Sequence, residues 1–247
     1  NFREVIDDEF LSWAKHHEKK LLLWFIDSVR NFKCYDEIYF KNFKGIYSFE
    51  PTDIKYLLNK YNVGNAKYLP VVADETIYNN ENNALNKVYD ICFVGVASLH
   101  RAELLEAVAR YCDYNNKTMI VYGHMWRFRP YIHMLRHRYN FKKKYPKLYK
   151  YVINKFINSQ KVAELYKKSR IVLNIAQSDN SAANSRTFEI LATNSFQIVG
   201  YNPSIEALFK DGKELVMYKN SEELINLIDY YLDNAEKRVE IASTGCE

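Results

Sequence analysis

Short apolar runs, each followed by a helix-forming stretch, recur along this chain, and that rhythm restricts its fold more than any other feature. Leu21 to Ile26 (LLLWFI) is the first such run, ended by Asp27-Ser28. A strand that is apolar at every position, not at alternate ones, is expected in a parallel sheet with both faces buried. Glu37 to Phe40, Gly45 to Phe49 and Ala66 to Leu69 read as further strands. Pro51-Thr52-Asp53 opens a helix to about Tyr61, because the missing proline N–H would have no intrahelical partner in the first turn.

From Asp74 to Lys87 the sequence is polar, rich in Asn and without period, as expected of a connection. A second series then begins with strand YDICFV at Tyr89, Gly95, a helix from about Arg101 to Cys112, strand Thr118 to Tyr122 and Gly123. After a basic stretch come helix Gln160 to Lys168, strand Arg170 to Ile175, helix Ser185 to Thr193 and strand Phe196 to Val199. A short helix after Pro203, strand Leu215 to Tyr218, and helices from Ser221 to Leu232 and from Ala235 onward complete it. Strands and helices alternating over short connections imply parallel sheets covered on both sides. At 247 residues and 48% hydrophobic content there is material for two cores. The expected organisation is α/β, with two doubly wound, Rossmann-like domains at residues 1–87 and 88–247, the first resembling the back half of one. Because it begins at Asn1 and stops within helix-like sequence at Gly245-Cys246-Glu247, the chain is expected to be cut at both ends.

No window approaches the ~18 apolar residues of a membrane span, and no secretory leader is visible. Cys34, Cys92, Cys112 and Cys246 have neither paired nor metal-ligand spacing, so they read as reduced thiols and favour the cytoplasm. His16-His17 has no third ligand nearby, and no metal site is expected. The net charge of +5 is unevenly placed: eleven Lys or Arg and no acidic residue lie between Met125 and Ala163. From Arg127 to Lys150 these cations interleave with Phe, Tyr and Leu. A solvated helical insertion, a contact with an anionic membrane surface or acceptor, and a nucleic-acid groove compete to explain them. No nucleic-acid motif accompanies the charge, so that reading ranks last.

Ligands of open parallel sheets bind beyond the carboxyl ends of the strands. There Gly95 permits close backbone approach, while Arg101, Arg186 and the amides of the helix opening at Asn184, Ser185 and Thr187 suit phosphate. Glu189, one turn into that helix, suits the two hydroxyls of a ribose. Tyr122 and Trp126 offer flat faces to a base, with Gly123 and His124 between them. Each has an ordinary alternative: an Arg after a strand is commonly a solvated charge, a Glu in the first turn complements the helix dipole, and a loop His is commonly only a polar surface group.

The stretch Ser185-Arg186-Thr187-Phe188-Glu189-Ile190-Leu191-Ala192-Thr193-Asn194-Ser195-Phe196-Gln197 resembles the R-x-F-E-x-x-A-x-G-x-F-Q signature of group-1-type glycosyltransferases related to spore-maturation protein CgeB. Asp90 to Gly95 followed by Arg101 resembles the opening strand of that family's donor domain. Phe209 through Gly212-Lys213-Glu214 resembles its F-x-x-G-x-E turn, and Ser221 to Gly245 its closing helices. Trp24-Phe25-Ile26-Asp27, Tyr35-Asp36 and Tyr68-Leu69-Pro70 look like the end of its acceptor domain.

The resemblance implies a GT-B fold, in which two Rossmann-like domains face across a cleft and the C-terminal one holds a UDP- or GDP-sugar. It also implies a nucleotide-sugar donor as co-substrate, no separate cofactor, no obligatory metal, and a glycan, lipid-linked or protein acceptor. Glu189 falls on the family's ribose-binding carboxylate. Two departures matter: Ser181 stands where the wider superfamily often has Glu, which leaves the sugar and the anomeric outcome open, and Asn194 stands where Gly is usual. Asn is the next best residue for a left-handed helix end, so that turn is expected to survive. In such a transfer Arg101, Arg186 and the helix N-terminus stabilise the departing diphosphate. Asp27, at a strand end in the acceptor domain, is the candidate general base, with turn capping as the plain alternative. A non-catalytic nucleotide-sugar-binding module, and a membrane- or RNA-binding protein acting through 127–150, are the competing readings.

Overall fold

The computed structural model describes residues 7–31, 37–81, 86–126, 141–176 and 182–247. They divide into two compact units, one of residues 1–71 with 181–183, the other of 72–180 with 184–247. The basic residues 127–140 and the departure at Ser181 lie outside the described residues. No described helix is long and apolar enough to cross a membrane.

In the first unit, helix α1 (Asp8–His16) precedes strand β1 (Leu22–Phe25), helix α2 (Glu37–Phe40), strand β2 (Gly45–Ser48), helix α3 (Pro51–Tyr61) and strand β3 (Ala66–Tyr68). The strands form a parallel sheet in the order β1-β2-β3. Leu23 and Phe25 enter a core with Phe40, Ile46, Leu57 and Tyr61. Leu22 and Trp24 stay exposed, so β1 is buried on one face among the described residues, not on both as expected. The strand expected at Glu37 to Phe40 is helix α2. Tyr39 and Phe40 are buried together with Phe43 while Ile38 is exposed, a helical spacing that the alternation of a strand cannot produce. Helix α3 begins as Pro51 predicts, with Glu50 as its N-cap and Asn62 left-handed at its end.

The second unit carries strands β4 (Tyr89–Val94), β5 (Met119–Tyr122), β6 (Val152–Ile153), β7 (Ser169–Asn174), β8 (Gln197–Gly200) and β9 (Val216–Tyr218). All pair in parallel, in the order β6-β5-β4-β7-β8-β9. The chain builds outward from β4 to β6, returns beside β4 as β7, and then builds the other way. The order therefore reverses between β4 and β7, a topological switch point. Helices α4 (Leu99–Tyr114), α5 (Leu148–Tyr151), α6 (Ser159–Lys167), α7 (Ser185–Ala192), α8 (Pro203–Leu208), α9 (Ser221–Asp233) and α10 (Ala235–Cys246) make the connections.

Alternate residues of β4 and β7 feed two buried layers. Ile91, Phe93, Ile171 and Leu173 pack with Leu105 and Val108 of α4 and Leu224 and Ile228 of α9. Cys92 and Val172, pointing the other way, pack with Ala163 and Tyr166 of α6 and Ile190 of α7. Here the expectation of a parallel sheet covered on both faces holds. The short pair α5 and β6 was hidden in the basic stretch. It docks on α4 through Glu106, whose carboxylate accepts from Leu148 N at 2.8 Å, and through Asp113, which pairs with Lys147 and Lys150.

The chain passes from one unit to the other at Val71–Val72, earlier than the boundary expected at residue 87. The polar connection is tied to the second unit. Tyr78 stacks on Tyr166 at 6.5 Å between ring centroids, and buried Lys167 Nζ donates to Asn79 Oδ1 at 3.1 Å and to the Glu81 carbonyl at 2.7 Å.

Candidate functional site

The switch point is floored by a close backbone crossing. Gly95, just past β4, donates its N–H to the Tyr122 carbonyl at 2.8 Å, and its own carbonyl accepts from Trp126 Nε1 at 2.9 Å. Gly123 lies against it so tightly that a Cβ there would stand 1.9 Å from the Gly95 oxygen. Only glycine permits that approach. Tyr122 is half-buried, and His124 is exposed, its carbonyl accepting from Ala97 N. Trp126 corrects an expectation. At 2% exposure, in T-shaped contact with Phe93 and Phe141, it is a core residue closed to a base.

Two guanidiniums share one aromatic ring. Arg101 Cζ lies 5.5 Å and Arg186 Cζ 5.7 Å from the centroid of Phe93, which is itself fully buried. They differ in role. Arg101 is buried and donates through Nε to the Ile175 carbonyl at 2.9 Å and through Nη1 to the Val96 carbonyl at 2.8 Å. It ties the loop after β4 to the end of β7. Burial, with the like charge of Arg186, brings its guanidinium down to about 10, so it stays charged at neutral pH. Arg186 is only half-buried. Its one described hydrogen bond is from Nη1 to Asn174 Oδ1 at 3.4 Å, and among the described residues no carboxylate forms an ion pair with it. Arg186 is thus the cation presented at the switch point, and Arg101 lends charge from behind.

Helix α7 opens beside them. Asn184 is its N-cap, with Oδ1 accepting from Thr187 N at 3.1 Å, and Ser185 follows, half-buried. Thr187 is fully buried, its hydroxyl held by Asn174, so it supports the site from inside. One turn on, burial raises the Glu189 carboxyl above its ordinary value, and the Ser185 hydroxyl and Arg186 partly offset that. The helix ends as expected: Asn194 takes φ 51°, and the N–H groups of Asn194 and Ser195 return to the carbonyls of Leu191 and Ile190.

Two residues of this site were given no role of their own in the sequence. Asn174 and Gln197 end β7 and begin β8, and both are buried. Their signal was present as an amide closing the run IVLN and another opening QIV, polar groups where an apolar sheet would otherwise continue.

In the first unit, Asp27 is exposed at the end of β1, and its Oδ1 accepts from Ser28 N at 2.8 Å and Asn31 Nδ2 at 3.1 Å. It caps that turn. Asp53, by contrast, is fully buried and gathers Ser28 Oγ, Val29 N and Ser48 Oγ within 3.0 Å. Of the lysines at 141–150, Lys144 lies within 3.9 Å of Glu103, and Lys147 and Lys150 share Asp113. Three of the five lysines at 141–150 therefore face a carboxylate.

A doubly wound sheet with glycines, a guanidinium and a capped helix at its switch point defines a Rossmann-like class of unit. The sequence profile of the family described as Glycosyl transferase-like matches residues 100–247, well over half of the chain, and the chain belongs to that family. No curated protein matches it in sequence. Among solved structures, sucrose-phosphate synthase from Thermosynechococcus elongatus is similar at TM-score 0.65 and 12% identity, over 95% of this chain and 64% of that one. HepE from Anabaena, in complex with UDP-glucose, gives TM-score 0.67 at 12% identity, over 96% of this chain and 69% of that one. The C-terminal domain of the group 1 glycosyl transferase LpcC from Francisella tularensis gives 0.52 at 16% identity, over 70% of this chain and 94% of that one. These likenesses show the fold, which is GT-B.

Proposed function

We propose that the second unit holds a nucleotide-diphosphate sugar of the UDP or GDP type, and that the chain takes part in moving the sugar to a glycan, lipid-linked or protein acceptor. One observation carries this reading. Arg186, in no ion pair among the described residues, stands at the switch point beside the start of α7 and Gly95, one helical turn from the carboxylate of Glu189. A diphosphate suits the guanidinium and the helix N-terminus, and a ribose diol suits Glu189. Membership of the family supports the reading, as does the UDP-glucose bound by HepE. So does the resemblance to CgeB-related enzymes, which implies a transferase that needs no cofactor beyond its donor, while cysteines without paired or metal-ligand spacing favour the cytoplasm.

When the bond between the anomeric carbon and the diphosphate breaks, negative charge develops on the leaving oxygen. Arg186 and the first amides of α7 face it as fixed donors, with Arg101 behind, so no metal is required for that step. A second reading, a donor-binding module without catalysis, is favoured by Asp27, whose carboxylate is already engaged in its own turn. Thermal-shift titration with UDP and GDP tests both. Stabilisation by one of them is expected, and none by either would overturn the donor site. Hydrolysis of a panel of UDP- and GDP-sugars separates enzyme from module, since inactivity on all of them would leave only the module. Glu189→Ala is expected to weaken nucleotide binding, and unchanged affinity would remove the ribose assignment.

A further inference from the structure

The polar network beneath the candidate donor site has an orientation that can be deduced from its anchors. Gln197 Nε2 donates to the main-chain carbonyl of Thr187 at 3.2 Å, an atom that can only accept, so Gln197 Oε1 must face the other way. There it accepts from Asn174 Nδ2 at 2.9 Å. A second anchor agrees. Asn184 Oδ1 accepts from the Thr187 N–H, which can only donate, so Asn184 Nδ2 is free to donate to Asn174 Oδ1 at 3.1 Å. Asn174 Nδ2 also lies 3.0 Å from Thr187 Oγ1 and 3.2 Å from Asn184 Oδ1, both acceptors on its side. Two independent main-chain groups therefore fix the same amide orientation, with Asn174 Oδ1 turned toward Arg186 Nη1. Asn174, Thr187 and Gln197 are each 1% exposed or less, so water cannot substitute for these bonds at little cost.

We infer that Asn174, locked by Gln197, is a positioning residue: it aims the Arg186 guanidinium at the diphosphate and sets the N-cap of the same helix. The inference rests on the donor reading and deepens it. A carboxylate would fit the shape of Asn174 but would pair with Arg186 and compete with an anionic ligand for it. It would also abolish the donation to Gln197.

The test is a double-mutant cycle on the full chain, with Asn174→Asp and Arg186→Gln alone and together, read as the dissociation constants of UDP and uridine, or of GDP and guanosine if GDP is the nucleotide bound. Asn174→Asp is expected to weaken the diphosphate about tenfold or more while leaving the nucleoside nearly unchanged. In the Arg186→Gln background the same substitution should have little further effect on the diphosphate, because it acts through Arg186. Equal losses for diphosphate and nucleoside, or a full loss with Arg186 already removed, would overturn the inference in favour of a merely structural amide. Asn174→Ser, too short to reach Arg186, supplies the same readout if the aspartate variant does not fold. A parent chain that binds neither UDP nor GDP overturns the donor reading and this inference with it. Binding that survives in every Asn174 variant overturns the inference alone.

Discussion

Replacing Gly123 with alanine measures how tightly the floor of the site is closed. The new Cβ would lie 1.9 Å from the Gly95 oxygen, 2.7 Å from its carbonyl carbon and 2.8 Å from Trp126 Nε1. The obstacle is main chain, so no rotamer change relieves it. The Gly95 segment must move away, stretching the 2.9 Å bond from the Trp126 indole and the 2.8 Å bond from Gly95 N to the Tyr122 carbonyl. Overpacking of this kind costs about 1–3 kcal/mol, and a buried indole N–H left without its acceptor about as much again. The expected loss is roughly 4 kcal/mol, a large fraction of a typical domain's stability. Gly200→Ala is the control in the same unit: its Cβ would meet Tyr218 Oη at 3.4 Å, ordinary contact, and the change should stay below about 1 kcal/mol. Of the three tryptophans, Trp13 and Trp24 lie in the first unit and Trp126 in the second, so a Trp13→Phe, Trp24→Phe background makes fluorescence report on Trp126 alone. In urea, at about 1–3 kcal/mol per molar, the Gly123→Ala midpoint should fall by roughly 1–4 M. A midpoint equal to that of Gly200→Ala would refute the reasoning, since the crossing would then be soft enough to admit a methyl group.

Burial raises the Glu189 carboxyl, so its ionised form, which accepts from ribose hydroxyls, disappears as pH falls through a midpoint above 4.5. UDP or GDP affinity measured calorimetrically should decline over that window and lose this dependence in Glu189→Gln, and an identical profile in both would refute the assignment. For folding the sign is opposite: a raised carboxyl contributes stability that is present below 4.5 and lost as pH rises through the shifted value, which Glu189→Gln should abolish in a series of thermal melts. Asn194, at φ 51°, should tolerate Gly better than Val, which should cost about 1–2 kcal/mol for the left-handed backbone, and equal melting temperatures for the Gly and Val variants would show that the helix end is not fixed as described.

The second unit was the more legible of the two because β4 and β7 are apolar at consecutive positions, which only a strand buried on both faces requires. LLLWFI in β1 carried the same pattern yet has one face exposed among the described residues, since the run encodes what a strand can bury and not what covers it. Glu37 to Phe40 misled because four residues hold too little periodicity to separate a strand from a helical turn whose aromatic partner, Phe43, lies beyond them. In the site, Gly95, Arg186 and Glu189 were legible from their places after strands and on α7. The difference between Arg101 and Arg186 was not. Which of two arginines meets carbonyl oxygens depends on the end of β7, distant from Arg101 in sequence. Trp126 failed for a similar reason: an indole suits a base or a core equally well, and its burial was decided by the Gly95 carbonyl and Phe93, both on another strand end.

The attachment of residues 72–81 to the second unit bears on how that unit can be excised. A fragment starting at Val88 would strip the ring from one side of Tyr166 and leave the Lys167 ammonium, held by Asn79 and Glu81, facing an emptied groove. A fragment starting at Val72 retains all three partners. What looks in the sequence like spare polar rope is the outermost layer of the second unit, and trimming it would expose an aromatic surface and an unpaired cation on the flank of the sheet.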